Sequence, residues 1–401
     1  MACIDFVFKA YCLSLLFVAV TTSRPFTGPK VFDVQNYGAK GDGKTDNTIA
    51  FTNAWKDACK WNGHSRMYIP KGRFYLGCVT FLGPCTGQIS FVIDGTLLAP
   101  PRNEDIKKET WINFQYIDYL TVSGGGTVDG QGKESWSLND CNKNHNCPKL
   151  AMNMGFDFVK KSSIEGITSL NSKAGHFNFY NVDNFIITGV NIIAPGDSPN
   201  TDGIKIGFSS NMQISNTRIS TGDDCIAILS GNTNFNIYNV MCGPGHGISV
   251  GSLGKYKNEK NIDGITIKNT VFTGTTNGIR IKTWESSATE IVISNFLYEN
   301  IQMIDVENPI NINQKYCPYP PCGNQGNSHV QIQNVKLKNI WGTSKNKLAL
   351  QLQCSESFPC KNVELVDINL THNGSDGPAT ALCENVEGSA SGKMDPPHCL
   401  S

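Results

Sequence analysis

No stretch of this sequence reaches 18 consecutive apolar residues, so nothing in it is long enough to cross a bilayer as a helix. Charge is also scarce. Only 17% of the 401 residues are Asp, Glu, Lys or Arg, and 34 basic groups cancel 34 acidic ones. Zero net charge excludes a globally basic nucleic-acid binder and leaves room only for a local patch. With 39% hydrophobic residues the chain is not intrinsically disordered. The 39 glycines are scattered and no heptad persists, which excludes collagen and coiled coil. What is plentiful is asparagine, 41 residues, alongside glycine and isolated Ile and Val. That mixture predicts many tight turns between short strands.

Lys9, the apolar run Tyr11–Val20 and then Thr21, Thr22 and Ser23 form a secretory signal over residues 1–23, with cleavage expected near 21–23. One domain is expected over 24–401. Secretion accounts for the cysteines. Beyond Cys3 and Cys12 there are thirteen, with close pairs at Cys141/Cys147, Cys317/Cys322, Cys354/Cys360 and Cys383/Cys399. In an oxidising compartment such pairs form disulfides rather than metal sites. The odd total leaves one thiol, expected among Cys59, Cys78 and Cys85. The sequons at Asn369 and Asn373 suit a secreted chain and are candidate glycosylation sites.

A short motif recurs in the second half. It runs Gly203-Ile-Lys-Ile206, Cys225-Ile-Ala-Ile228, Gly247-Ile-Ser-Val250, Gly278-Ile-Arg-Ile281 and Pro309-Ile-Asn-Ile312, with Leu348-Ala-Leu350 as a looser sixth copy. The first apolar positions step by 22, 22, 31, 31 and 38 residues. A second short strand lies between copies, beginning at Phe185, Met212, Phe235, Ile265, Ile291 and Val330. Short alternating strands at a period in the twenties indicate stacked coils, each burying its apolar face against the next. The fold expected is an all-β, right-handed parallel β-helix. The segment Thr48–Ala58 has helical spacing, with Ile49, Trp55 and Ala58 on one face, and is expected to cap the N-terminal end. A propeller or sandwich is the competing fold; propeller blades need longer and more even repeats.

Stacked coils put chemistry in columns. Two residues before each motif Ile stand Asp202, Asp224, His246, Asn277 and Asn308. Just after it stand Lys205, Ala227, Ser249, Arg280 and Asn311, and Lys282 lies two further on from Arg280. Asp223 adjoins Asp224. Like charges one strand spacing apart, about 4.8 Å, raise at least one carboxyl pKa. A protonated acid beside ionised carboxylates is what glycosidic cleavage requires. A Ca²⁺ site is the alternative for three carboxylates, but the neighbouring His246, Arg280 and Lys282 argue against it.

Asn200-Thr-Asp202, Gly222-Asp-Asp224, Gly245-His-Gly247 and Arg280-Ile-Lys282 resemble, in order and spacing, the four signature motifs of the polygalacturonases, glycoside hydrolase family 28. The likeness extends to Ser198-Pro-Asn-Thr-Asp-Gly-Ile, to the residues flanking Gly245-His-Gly247 and to Tyr37-Gly-Ala-Lys-Gly-Asp-Gly. Gly83-Pro-Cys85, Asp129-Gly-Gln-Gly132 and Asn171-Ser-Lys173 are similar to the plant pollen group, which is exo-acting. The resemblance implies a parallel β-helix and hydrolysis, with inversion, of α-1,4-linked galacturonic acid, that is polygalacturonic acid or demethylated pectin. It implies Asp223 as general acid, Asp202 and Asp224 as holders of the attacking water, and His246 as tuner of Asp223 or substrate ligand. Arg280, Lys282, Asn200 and Tyr316 are implied to bind substrate, Arg280 as a planar fork and Lys282 as a point charge. No metal or other cofactor, no nucleic-acid or membrane partner and a monomeric, extracellular cell-wall protein are expected. Inversion separates acid and base by about 6.5–9.5 Å. Stacking sets Asp202 near Asp224 at about 5 Å, so those two are taken as joint holders of one water. Cys225 and Cys242 are expected to bond, tying the Asp223-Asp224 strand to the His246 turn. An endo-acting enzyme is the nearest alternative, followed by a Ca²⁺-dependent pectate lyase and a non-catalytic pectin-binding β-helix.

Overall fold

The computed structural model describes residues 28–106, 108–137, 149–318, 320, 322 and 327–400. The signal segment 1–23 and the Cys141/Cys147 pair lie outside the described residues. Among the described residues every strand pairing is parallel; eleven strands form one sheet, from Val79–Leu82 to Thr380–Glu384, and nineteen form a larger one that folds around the other sides of the coil. Together they make a right-handed parallel β-helix.

The eleven-stranded sheet carries the motif copies in register. Ile204 pairs with Ile226, Ile226 with Ile248, Ile248 with Ile279 and Ile279 with Ile310. All five are buried to within 1% exposure, so this column is the spine of the core. It continues upstream through Phe177, Met154, Ile112 and Val79, where an aromatic and a sulfur side chain at the first two positions replace Ile and hide the repeat. There the rings stack along the axis, Phe114 on Phe156 at 5.3 Å and Phe156 on Phe179 at 5.0 Å.

Asparagine accounts for the corners. One column reads Asn184, Asn211, Asn234, Gly264, Asn295, Asn334 and Asn362; a second reads Gly189, Asn216, Asn239, Asn269, Asn300, Asn339 and Asp367. All have φ between 50° and 70°. This left-handed conformation bends the chain without a break in pairing, and Asn adopts it more readily than any other residue except Gly. Its amide then bonds the Asn one coil away, as in Asn234 to Asn211 at 2.6 Å and Asn339 to Asn300 at 2.8 Å.

Three expectations are corrected. The sixth motif copy is Leu350-Gln-Leu352, since Ile310 pairs with Leu350; Leu348 lies half-exposed beside the Lys345–Lys347 turn. On the larger sheet Ile265 pairs with Phe296, and Phe296 with Val335. Ile291 and Val330 only extend those strands at their N-terminal ends, because these later strands run to 16 and 15 residues. The capping helix spans Thr48–Lys60 and covers the N-terminal strands, but Ile49 is 78% exposed. At about 100° per residue Ile49 lies some 120° from Trp55, and the buried stripe is Ala50, Phe51, Ala54, Trp55, Ala58 and Cys59.

Candidate active site

The Ser198–Asp202 turn braces the first acidic strand. The Ser198 and Thr201 hydroxyls share a hydrogen bond at 2.7 Å, and Thr201 Oγ1 accepts from the Gly222 amide at 2.9 Å. A side chain at Gly222 would collide with the Ser198 carbonyl, so only glycine lets Asp223 sit this close to that turn. In the next coil Gly245 and Gly247 have φ of 149° and 88°, which presents His246 toward the acids. Cys225 and Cys242 are bonded with Cα atoms 6.0 Å apart, beneath this turn.

These supports bring Asp202, Asp223, Asp224 and His246 together. His246 Nδ1 lies 2.8 Å from Asp223 Oδ1, and Asn200 Nδ2 donates to Asp223 Oδ2 at 3.1 Å. Asp224 turns the other way and is 3% exposed. Its Oδ1 accepts from Ser249 Oγ at 2.5 Å and its Oδ2 from Lys282 Nζ at 2.9 Å. Asp202 faces them from the preceding coil. Arg280 lies 5.6 Å and Lys282 5.8 Å from the Tyr316 ring centre, a cation–π arrangement, and Trp284 packs edge-on to Tyr316. All these residues except Trp284 and Ser249 line an open cleft of about 680 Å³ along the eleven-stranded sheet.

The chain matches the family described as Glycosyl hydrolases family 28 over residues 59–392. It belongs to that family. An exopolygalacturonase of Platanus acerifolia is 47% identical over 367 residues, 91% of this chain and 97% of its own. One from Zea mays is 42% identical, with 100% of both chains covered. In fold, the chain resembles the solved endo-xylogalacturonan hydrolase of Aspergillus tubingensis, with a TM-score of 0.78 and 19% identity across 91% of this chain and 100% of that one.

Within this family 28 site the structure refines the expected partners. Asp202 is influenced by the charge of Asp223 more than by that of Asp224, although Asp224 is its stacked neighbour. Burial pushes the Asp202 carboxyl up to about 7, and Asp223 adds to the shift. Burial pushes Asp223 up as well, but the hydrogen bond and charge of His246 outweigh it and hold Asp223 below its ordinary value. His246 is raised in return, by its bond to Asp223 against its own desolvation. Of the two, Asp202 is therefore pushed toward its protonated form and Asp223 toward its ionised one. Lys282 neutralises Asp224 instead of standing free in the cleft. Asp223, Asp224 and His246 offer ligand atoms within 4.8 Å of one another, but the Lys282 ammonium already sits on Asp224, an arrangement suited to a cation-free site.

Ser249 stands in the row of Ala227 and Arg280, but the strand pattern alone does not reveal its bond to Asp224. Glu109 and Lys149 belong to no motif or column of the sequence. They pair across the far end of the cleft at 2.5 Å, 40 residues apart. Asn369 lies half-buried within the strand Cys360–His372, while exposed Asn373 donates to Asp305. Bonds join Cys59–Cys85, Cys317–Cys322, Cys354–Cys360 and Cys383–Cys399, and Cys78 carries the free thiol among the described residues.

Asp202 makes stability depend on pH. Its folded value near 7 exceeds the unfolded value of about 4, so the unfolded chain releases the proton first and stability falls as pH rises between them. Buried His176, held near 3, contributes the opposite slope over part of that range. The expected outcome is therefore a difference: Asp202→Asn gains stability relative to wild type as pH goes from 4 to 7, measured by urea unfolding at several pH values. A difference independent of pH would contradict it.

Proposed function

We infer that this chain is an exo-acting polygalacturonase, hydrolysing the α-1,4 bond of polygalacturonate with inversion and working outside the cell at the cell wall. The observation that carries this reading is the grouping of Asp202, Asp223, Asp224 and His246 in one open cleft beside Arg280. Both the family and the relatives named exopolygalacturonase support it.

The Asp202–Asp223 pair titrates as one unit and holds one shared proton under mildly acidic conditions. In the reactive arrangement that proton sits on Asp223, which gives it to the leaving glycosidic oxygen as the C1–O bond breaks. Asp202 and Asp224 then orient the water and accept its proton as it attacks from the opposite face. Lys282 and Ser249 hold Asp224 in place, and the His246 charge sets how readily Asp223 takes up and releases its proton. Arg280, stacked on Tyr316, meets a substrate carboxylate as a bidentate donor.

Product sizing on polygalacturonate tests the reading. Galacturonate monomer from the earliest time points is expected. A ladder of oligomers would make the enzyme endo-acting, and new ultraviolet absorbance from unsaturated ends, abolished by chelation, would make it a lyase.

A further inference from the structure

The row of the eleven-stranded sheet just after each motif Ile reads, in register, Asn178, Lys205, Ala227, Ser249, Arg280, Asn311. It therefore holds two cations separated by two small residues. Three strand spacings of about 4.8 Å set their backbones roughly 14 Å apart along the solenoid axis. The small residues between them, Ala227 and Ser249, are 2% and 0% exposed, which leaves the floor low where Asp224 is anchored. The acids thus lie between the two cations.

Both cations are available. Among the described residues neither Lys205 nor Arg280 forms an ion pair, whereas Lys282 is bound to Asp224. Lys205 is half-buried and lines the cleft. Its ladder neighbours are Asn178 on one side and Ala227 on the other, and Gly207 lies two positions along its own strand, so no bulky side chain stands beside it on the side toward Asp224. Its charge does reach Asp202, where it opposes the upward shift.

We propose that Lys205 is a specificity-determining residue that binds the carboxylate of the sugar on the opposite side of the cleaved bond from the sugar held by Arg280. It rests on the polygalacturonase reading above. The cleft then requires a free carboxylate on both flanking sugars. A methyl ester on either one removes the negative charge and leaves a desolvated cation without a partner, which is costlier than losing an exposed contact. An ammonium suits this place because, as a point charge on a flexible stem, it follows a carboxylate whose direction changes from sugar to sugar.

The test is the ratio of kcat/KM on fully de-esterified polygalacturonate to kcat/KM on a partly methyl-esterified preparation of the same length, for wild type, Lys205→Gln, Lys205→Arg and Arg280→Gln. Lys205→Gln is expected to lower that ratio by about tenfold, the size of one lost charge-assisted bond. Lys205→Arg should keep most of it. The Lys205→Gln/Arg280→Gln double variant should combine the two losses multiplicatively, because the residues read different sugars and lie far apart. If Lys205 served only to hold down the Asp202 proton affinity, Lys205→Gln would slow both substrates alike, shift the pH profile and leave the ratio unchanged; that result would overturn the proposal. Wild-type hydrolysis of polygalacturonate in the same assay separates this outcome from failure of the activity itself.

Discussion

Asp223→Asn should fold normally and lose at least about a hundredfold in kcat on polygalacturonate, the lower end of what a positioned general acid contributes. Asparagine keeps the shape of the side chain and can still meet Asn200 and His246, whose atoms lie 3.1 and 2.8 Å away. What it cannot do is deliver a proton to the leaving oxygen. A second substrate separates this loss from damage to the site. An aryl α-galacturonide whose leaving group departs as a stable anion does not need that proton, so Asp223→Asn should cleave it within a few fold of wild type. Asp202→Asn should remain slow on both substrates, since the attacking water is still required. Near-normal turnover of polygalacturonate by folded Asp223→Asn would sink the assignment. Equal losses on both substrates would move Asp223 from proton donor to water holder.

The residues that were legible in the sequence are those whose spacing is fixed by the coil. The Ile column and the acids two residues before it follow from one fact: equal phases stack when every coil contributes the same number of residues to the sheet. Where that number is preserved, from Ile204 to Ile310, counting along the chain gives the register. It fails where the strands lengthen, because the added residues do not advance the phase. Ile291 and Val330 look like strand starts of the earlier kind but belong to an N-terminal extension. Upstream, the core switches from Ile to Phe and Met. The inward position is kept, yet Gly-Ile-x-Ile is gone, and Phe177 and Met154 carry no recognisable repeat.

Side-chain direction was the other limit. Stacking places Asp202 next to Asp224 through the backbone, and the Gly203 amide indeed donates to the Asp224 carbonyl at 2.9 Å. Which carboxylates face one another depends on rotamers that a strand pattern does not specify. Asp224 has three competing neighbours: Asp202, Ser249 and Lys282. The hydroxyl and the ammonium capture it, leaving Asp202 to be governed by Asp223. Lys282 illustrates the same point. The Arg-x-Lys spacing puts Arg280 and Lys282 on one face, but only Lys282 has a stem long enough, and a head compact enough, to reach back two coils to Asp224.

That reach makes Lys282→Met the second variant with a large expected effect. The Lys282 and Asp224 side chains are 12% and 4% exposed, so their pairing is shielded from solvent and from salt. Removing one member of such a pair leaves the other charge buried without compensation, at a cost of about 3–5 kcal/mol. Ser249 still donates to one Asp224 oxygen, which places the expected loss toward the lower end of that range. Activity should fall with it, because an Asp224 freed from Lys282 is no longer fixed in direction and holds the attacking water poorly. The double variant Lys282→Met/Asp224→Asn separates the two effects. It buries no unpaired charge, so most of the stability should return in urea unfolding while activity stays lost. The pair is then a device for keeping a charged base in a nearly dry position, and its net worth to folding is small. If Lys282→Met alone unfolds at the wild-type urea concentration, or if the double variant is no more stable than Lys282→Met, the ammonium is not what compensates Asp224.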